Sequence, residues 1–327
     1  MTLPLVEALI ARGAERVVLL GTPHAWRFLR APSPPLEVLD IGGREWLGLF
    51  GEDVELAAPA RARLAEIDAA LVLAGAGRAA LEAKLRAAGV RRVAGAAPAA
   101  FGEAAADLGA WGSGEPVLAP WPPGPAHAAR HLMLPLAALG GNDGEDGWPQ
   151  APLPLAGHPL LRLERREIAA ALASLGLAAA PARGIVALHP GSGGAAKCWP
   201  AERFAALAAA ASERSGMTPV FLVGPADGSV WRALKSALPH SLVPHALVER
   251  PLREVLALLS LARAYVGNDS GISHLAARAC PTLALFGPSD PRVWHPLGQH
   301  VAVLRAPRGA LARLSLGQAL AGLAALL

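Results

Sequence analysis

A chain of 327 residues is long enough for two domains of ordinary size, and its 53% of apolar residues includes no unbroken run of the roughly 18–20 that a membrane-crossing helix needs. Its two cysteines, Cys198 and Cys280, have no paired spacing and its ten histidines are scattered, which argues against a disulfide framework or a tightly held structural metal. Charge divides unevenly: residues 1–160 carry 13 Lys/Arg against 17 Asp/Glu, a balance of −4, whereas residues 161–327 carry 17 against 9, a balance of +8.

The opening, Met1-Thr-Leu-Pro-Leu-Val-Glu7, has no basic leader or cleavage site, so a cytoplasmic protein is expected. A helix over 3–12 comes first. Strands over 16–20, 71–74 and 92–94 come next, with helices over 78–88 and 126–134, the latter stopped by Pro135. The glycine- and acid-rich stretch 140–152 reads as a connection of turns. Residues 163–175 form an amphipathic helix closed by Gly176, and the domain boundary is placed near Pro181.

Beyond it, strands over 185–188, 219–223, 264–266, 282–286 and 301–304, with a weak one near Leu242, alternate with helices such as 201–212, 251–262 and 272–279. Pro200 suits a first helical turn, and 311–327 reads as an apolar closing helix. The alternation argues an α/β fold with a parallel sheet covered on both faces. A doubly wound sheet normally starts with a strand near its centre, whereas this chain starts with a helix.

Two glycine-bearing loops carry the functional signal, Ile185-Val-Ala-Leu-His-Pro-Gly-Ser-Gly-Gly-Ala-Ala-Lys197 and Tyr265-Val-Gly-Asn-Asp-Ser-Gly-Ile-Ser-His274. Each comes after a buried strand and precedes a helical segment, which turns free backbone N–H groups and a positive dipole end toward the loop. Together with Lys197, two such ends suit a nucleotide-diphosphate ligand. The basic residues of this half are spread along helices without interleaved aromatics, which argues against nucleic acid. A phosphate-loop NTPase would need Gly before the lysine and Ser or Thr after it, and Ala196 and Cys198 stand there instead.

Plainer readings stand beside each residue. The first loop could be an ordinary turn using glycines for positive φ, and Lys197 a solvated lysine. Asp269 or Ser270 could cap the next helix, and His274 could be a satisfied core histidine or a donor to a phosphate or sugar oxygen. The loop Phe286-Gly-Pro-Ser-Asp-Pro291 could be a proline-fixed turn or could face the ligand with Ser289 and Asp290, and the loop Gly224-Pro-Ala-Asp227 is similar. Both lie after strands, where parallel sheets bind ligands.

The stretches His-Pro-Gly-Ser-Gly-Gly-Ala-Ala-Lys-Cys-Trp-Pro-Ala-Glu-Arg-Phe (189–204), Phe-Leu-Val-Gly-Pro-Ala-Asp (221–227), Gly-Asn-Asp-Ser-Gly-Ile-Ser-His-Leu-Ala-Ala (267–277) and Leu-Phe-Gly-Pro-Ser-Asp-Pro (285–291) resemble glycosyltransferase family 9, the heptosyltransferase family of lipopolysaccharide core synthesis. The likeness covers most of residues 130–300 and is diffuse before them. It implies an α/β architecture of GT-B type, with two Rossmann-like domains whose parallel sheets face a central cleft. Residues 1–181 would take the acceptor and 182–310 the donor, while 311–327 would cross back to the first domain or form a dimer contact. By motif position, Ser192, Gly193 and Lys197, with Gly194 beside them, match diphosphate contacts, and Asp269, Ser270, Gly271 and His274 match the loop that holds the donor sugar and phosphates.

The resemblance further implies an ADP-heptose-type donor, a lipopolysaccharide core or similar lipid-linked saccharide as acceptor, and inverting transfer without metal or other cofactor. Lys197 would stabilise the departing diphosphate. A lipid-linked acceptor implies peripheral contact with the inner membrane, for which Arg12, Arg16, Arg27 and Arg30 are candidates or else a solvated face. In the family an opening strand leads into Gly-Asp, and that aspartate is the expected base. Here Met1-Thr-Leu-Pro4 matches only the part after that aspartate, no acidic residue precedes Glu7, and the general base is unassigned. The expectation is therefore either a shortened start or a nucleotide-sugar-binding protein without transfer; a nucleotide-sugar epimerase is a further alternative.

Overall fold

The computed structural model describes residues 3–23, 26, 28–29, 36–51, 54–73, 77–95, 115–119, 127–129, 136, 155, 158 and 160–327. Contacts divide the chain into two units, Met1–Ala104 with Gly124–Gln150, and Ala105–Pro123 with Ala151–Leu327. Among the described residues no helix is long and apolar enough to cross a membrane.

In the first unit the described elements are α1 (Leu3–Ala11), β1 (Val17–Gly21), β2 (Leu36–Asp40), α2 (Leu47–Phe50), α3 (Ala58–Ala65), β3 (Ala69–Val72), α4 (Arg78–Ala87) and β4 (Arg92–Gly95). β1 pairs with β2 and β3 with β4, both parallel. Trp46, Leu49, Leu64, Val72, Leu85 and Val90 pack together as their core. Strand β2 was not expected, because Leu36-Glu-Val-Leu-Asp40 is only part-buried along most of its length and lacks a clean apolar alternation. The helix expected over 126–134 and the connection over 140–152 lie largely outside the described residues, as do Arg27 and Arg30.

The second unit holds β5 (Val117–Leu118), α5 (Arg165–Ser174), β6 (Ile185–His189), α6 (Ala201–Ser215), β7 (Thr218–Val223), α7 (Gly228–Ala237), β8 (His245–Val248), α8 (Leu252–Leu259), β9 (Ala262–Asn268), α9 (Gly271–Ala276), β10 (Thr282–Phe286), α10 (Pro291–Trp294), β11 (Val301–Arg305) and α11 (Leu316–Ala324). Seven strands form one sheet in the order β5-β11-β10-β9-β6-β7-β8, parallel except for β5, which runs antiparallel to β11. β6 and β10 are buried at every position, as strands must be when helices cover both faces. Helix α6 turns Phe204, Ala205, Leu207, Ala208 and Ala211 onto that sheet, a stripe at helical spacing, and stops at Gly216, whose φ of 66° closes the last turn.

Three expectations are corrected here. Helix α5 belongs with the second unit rather than ending the first, because Arg253 on α8 grips Glu167 on α5 through Nε–Oε1 at 2.5 Å and Nη2–Oε2 at 2.7 Å. The division thus falls near residue 151 rather than 181. The weak strand near Leu242 lies at β8 instead, since Leu242 sits in a turn, its N–H donating to Pro239 O at 3.0 Å. The closing segment begins with a single turn at Leu311–Arg313, and α11 starts only after Ser315, whose Oγ accepts from Gln318 N at 3.2 Å. Its apolar side packs into this unit's own core through Ala319 and Leu323, with Gly322 against Leu283.

Candidate functional site

Strands β6 and β9 are neighbours in parallel register, with His189 opposite Gly267, so the two glycine-bearing loops leave the sheet side by side at its carboxyl edge. That edge is where open α/β sheets take ligands. Asn268, the last residue of β9, joins the loops. Its Oδ1 accepts from Trp199 N at 3.0 Å, and its Nδ2 donates to Pro190 O at 2.8 Å and Gly191 O at 3.3 Å. Asn268 and Trp199 are fully buried, so these bonds satisfy groups that water cannot reach. Sequence reasoning placed Asn268 inside the motif but gave it no role; an amide that bonds backbone groups in the loop after another strand leaves no mark in local spacing.

Behind this junction Tyr265 and Ser273 share a hydrogen bond at 2.9 Å, and Ser273 Oγ donates to Asn268 O. Ser270 caps α9 by accepting from Ser273 N at 3.4 Å, so the capping role weighed from sequence is present. Gly267 leaves room for this arrangement, because a Cβ there would lie 2.0 Å from the Tyr265 hydroxyl.

In front of it the loops after β6 and β10 converge on Asp269, in the loop after β9. Lys197 Nζ donates to Asp269 Oδ2 at 2.8 Å, Ser289 Oγ donates to the same oxygen at 2.6 Å, and Ser192 Oγ donates to Asp269 O at 2.7 Å. The pair is asymmetric: the Lys197 side chain is 41% exposed and that of Asp269 only 9%. Lys197 is therefore not a free surface lysine. It ends the short turn Ala195–Lys197, and α6 begins only at Ala201, so the first loop presents a turn and a lysine rather than a helix start as expected.

The glycines of the first loop are not there for backbone conformation, since none has positive φ. Gly191 is required by space: a Cβ would fall 1.9 Å from Asp227 Oδ1. At Gly193, Gly194 and Gly271 a Cβ would meet nothing within 4 Å, so these positions border open space. His274 is part-exposed on α9, directly after the Asp269 loop.

The remaining candidates are held elsewhere. Asp227 is buried, accepts from Gly224 N at 2.7 Å through Oδ2, and lies 3.8 Å from His189 Nδ1. It supports the first loop from behind. Burial lowers the His189 pKa, with the Leu222 carbonyl and Asp227 opposing, so the imidazole stays neutral. Asp290 caps α10, accepting from Arg292 N at 2.9 Å, and pairs with the Arg292 guanidinium at 2.5 Å. Burial opposes its ionisation, but Arg292 outweighs it and holds the carboxyl below the usual range. Of the loop after β10, Ser289 joins the cluster and Asp290 is turned to Arg292.

A parallel sheet with polar loops at its carboxyl edge defines the class, and comparison with solved structures specifies it as α/β of GT-B type. The ADP-heptose lipopolysaccharide heptosyltransferase II of E. coli superposes with a TM-score of 0.68 at 23% identity, covering 99% of this chain and 93% of that one. A glycosyltransferase family 9 protein of Veillonella parvula gives 0.70 at 20% identity, covering 99% and 92%. The sequence profile of glycosyltransferase family 9 (heptosyltransferase) matches residues 81–323, and the chain belongs to that family. It is 29% identical over 179 residues to the lipooligosaccharide heptosyltransferase 2 of Haemophilus ducreyi, a match that spans 52% of this chain and about half (51%) of the curated relative's length. None of these likenesses supports the binding-only or epimerase alternatives.

Proposed function

We propose that this protein transfers heptose or a related sugar from an ADP-heptose-type donor to a lipopolysaccharide core or similar lipid-linked saccharide, with inversion and without a metal. The observation that carries the reading is the convergence of Ser192 and Lys197 from the loop after β6, and of Ser289 from the loop after β10, on Asp269 at the carboxyl edge of the second unit's sheet. The open space beside Gly193, Gly194 and Gly271 lets a diphosphate approach the backbone closely, and Lys197 supplies the cation.

Transfer breaks the bond between the sugar's anomeric carbon and the diphosphate while the acceptor hydroxyl forms the new one from the opposite face. Negative charge grows on the departing diphosphate oxygen. A cation and preorganised N–H donors at that oxygen are the largest catalytic contribution such a site can make. In this proposal the Asp269-to-Gly271 segment holds the donor, Asp269 toward the sugar and the Ser270–Gly271 backbone toward the phosphates, with His274 beside it, and the +8 half draws in the anionic donor. The protein works in the cytoplasm and meets its acceptor at the inner membrane by peripheral contact.

The test is acceptor-dependent ADP release. Lys197→Ala is expected to lower its kcat/KM by about tenfold or more in protein that still folds, and a chelator should leave the unaltered protein's rate intact. Normal release by Lys197→Ala would remove the reading. Product formed without any acceptor would favour the epimerase, and donor binding without release would favour the binding-only protein.

A further inference from the structure

Resting on that donor-site reading, we infer that Asp269 is a built-in competitor for Lys197, a carboxylate that occupies the lysine when no diphosphate is present and takes it back when the nucleotide leaves. The geometry that points to this is the unequal anchoring of the pair. Asp269 is buried to 9% side-chain exposure and keeps a second donor, Ser289 Oγ at 2.6 Å, on the very oxygen that Lys197 contacts. Lys197 is 41% exposed at the end of a flexible aliphatic stem, bordering the open space beside Gly193 and Gly194. The lysine can swing; the carboxylate cannot.

A buried carboxylate that loses its cation is left uncompensated, which is strongly unfavourable. Ser289 is the group that eases the exchange, because its hydroxyl still donates to Oδ2 after Lys197 has moved. Ser289 is thus a positioning residue that acts on the ligand through Asp269. A diphosphate must compete with Asp269 for the ammonium and also sits near a like charge, so the carboxylate weakens nucleotide binding and speeds release. Release of product limits many enzymes, and a carboxylate that reclaims the cation favours turnover.

The prediction is opposite in sign to what a supporting residue would give. ADP is the probe, because it lacks the sugar and any contact of Asp269 with sugar hydroxyls drops out. In calorimetric titration with a chelator present, Asp269→Asn is expected to bind ADP roughly three- to tenfold more tightly than the unaltered protein. Lys197→Ala should bind it more weakly. Ser289→Ala should weaken ADP binding about threefold in the unaltered background and have no effect in the Asp269→Asn background, a non-additivity that only coupling through Asp269 produces.

Equal or weaker ADP binding by Asp269→Asn, with its thermal midpoint retained, would overturn the inference while leaving the donor site standing. If Asp269→Asn does not fold, Ser289→Ala decides: unchanged or tighter ADP binding overturns the inference. Absence of ADP binding by the unaltered chain would instead remove the donor site, and this inference with it.

Discussion

Gly191 and Gly193, one residue between them, separate packing from ligand access. A methyl at Gly191 would overlap the buried Asp227 carboxylate at 1.9 Å, whereas one at Gly193 would meet nothing. Gly191→Ala is therefore expected to lower stability by about 1–3 kcal/mol through overpacking, read from its denaturation midpoint. Gly193→Ala should leave the midpoint unchanged and weaken ADP binding several-fold, because its methyl occupies the space offered to the diphosphate; unaltered ADP binding by Gly193→Ala would contradict that assignment. Residue types and spacing made Ser192, Lys197 and Asp269 legible in the sequence, since a lysine after a glycine run and an Asn-Asp-Ser-Gly run each suggest a ligand. The direction of a carboxylate was not legible. Asp227, Asp269 and Asp290 all lie in loops after strands, yet one supports a loop, one holds a lysine and one pairs with Arg292, and nothing local in their spacing distinguishes these fates.

At the scale of elements, the loops after β6 and β9 are one structure rather than two, because Asn268 at the end of β9 bonds backbone groups of the β6 loop. Removing its amide in Asn268→Ala leaves the Trp199 N–H and the Pro190 carbonyl buried without that partner, at about 1–3 kcal/mol for each unsatisfied group. The expected outcome in chemical denaturation is a lower midpoint with an unchanged slope. A loss below about 0.5 kcal/mol would mean that the loops hold their places independently. The long buried strands β6, β7, β9, β10 and β11 were readable because a sheet covered on both faces demands continuous apolar runs. β2 and β5 were not: one is nowhere fully buried, and the other has only two residues, too few to show any period. Helix α11 was readable as an apolar helix but not in its docking, which is set by Gly322 against Leu283 and by the Trp199 Nε1 bond to Leu314 O at 2.9 Å.

Across the whole molecule, two buried histidines link stability to pH. Burial brings the His295 pKa down to about 4, with the Pro296 carbonyl pulling the other way, and burial lowers that of His189 as well. Below about pH 6.5 the unfolded chain binds these protons and the folded one does not, so stability falls as pH drops, by up to about 1.4 kcal/mol per pH unit for each histidine. For His295 the loss continues to about pH 4, where the folded protein also takes up its proton. Urea midpoints should therefore decline between about pH 7 and about pH 5, and less steeply in His295→Gln; a flat profile would show that neither ring stays neutral for lack of water. Covalent order carries a separate consequence. Val117–Leu118 completes the second sheet along β11 although the chain then returns to the first unit before residue 151. A fragment begun at Ala151 would strip that border strand away and leave the flank of β11 with bare amides and carbonyls, an open seam for another copy to zip onto.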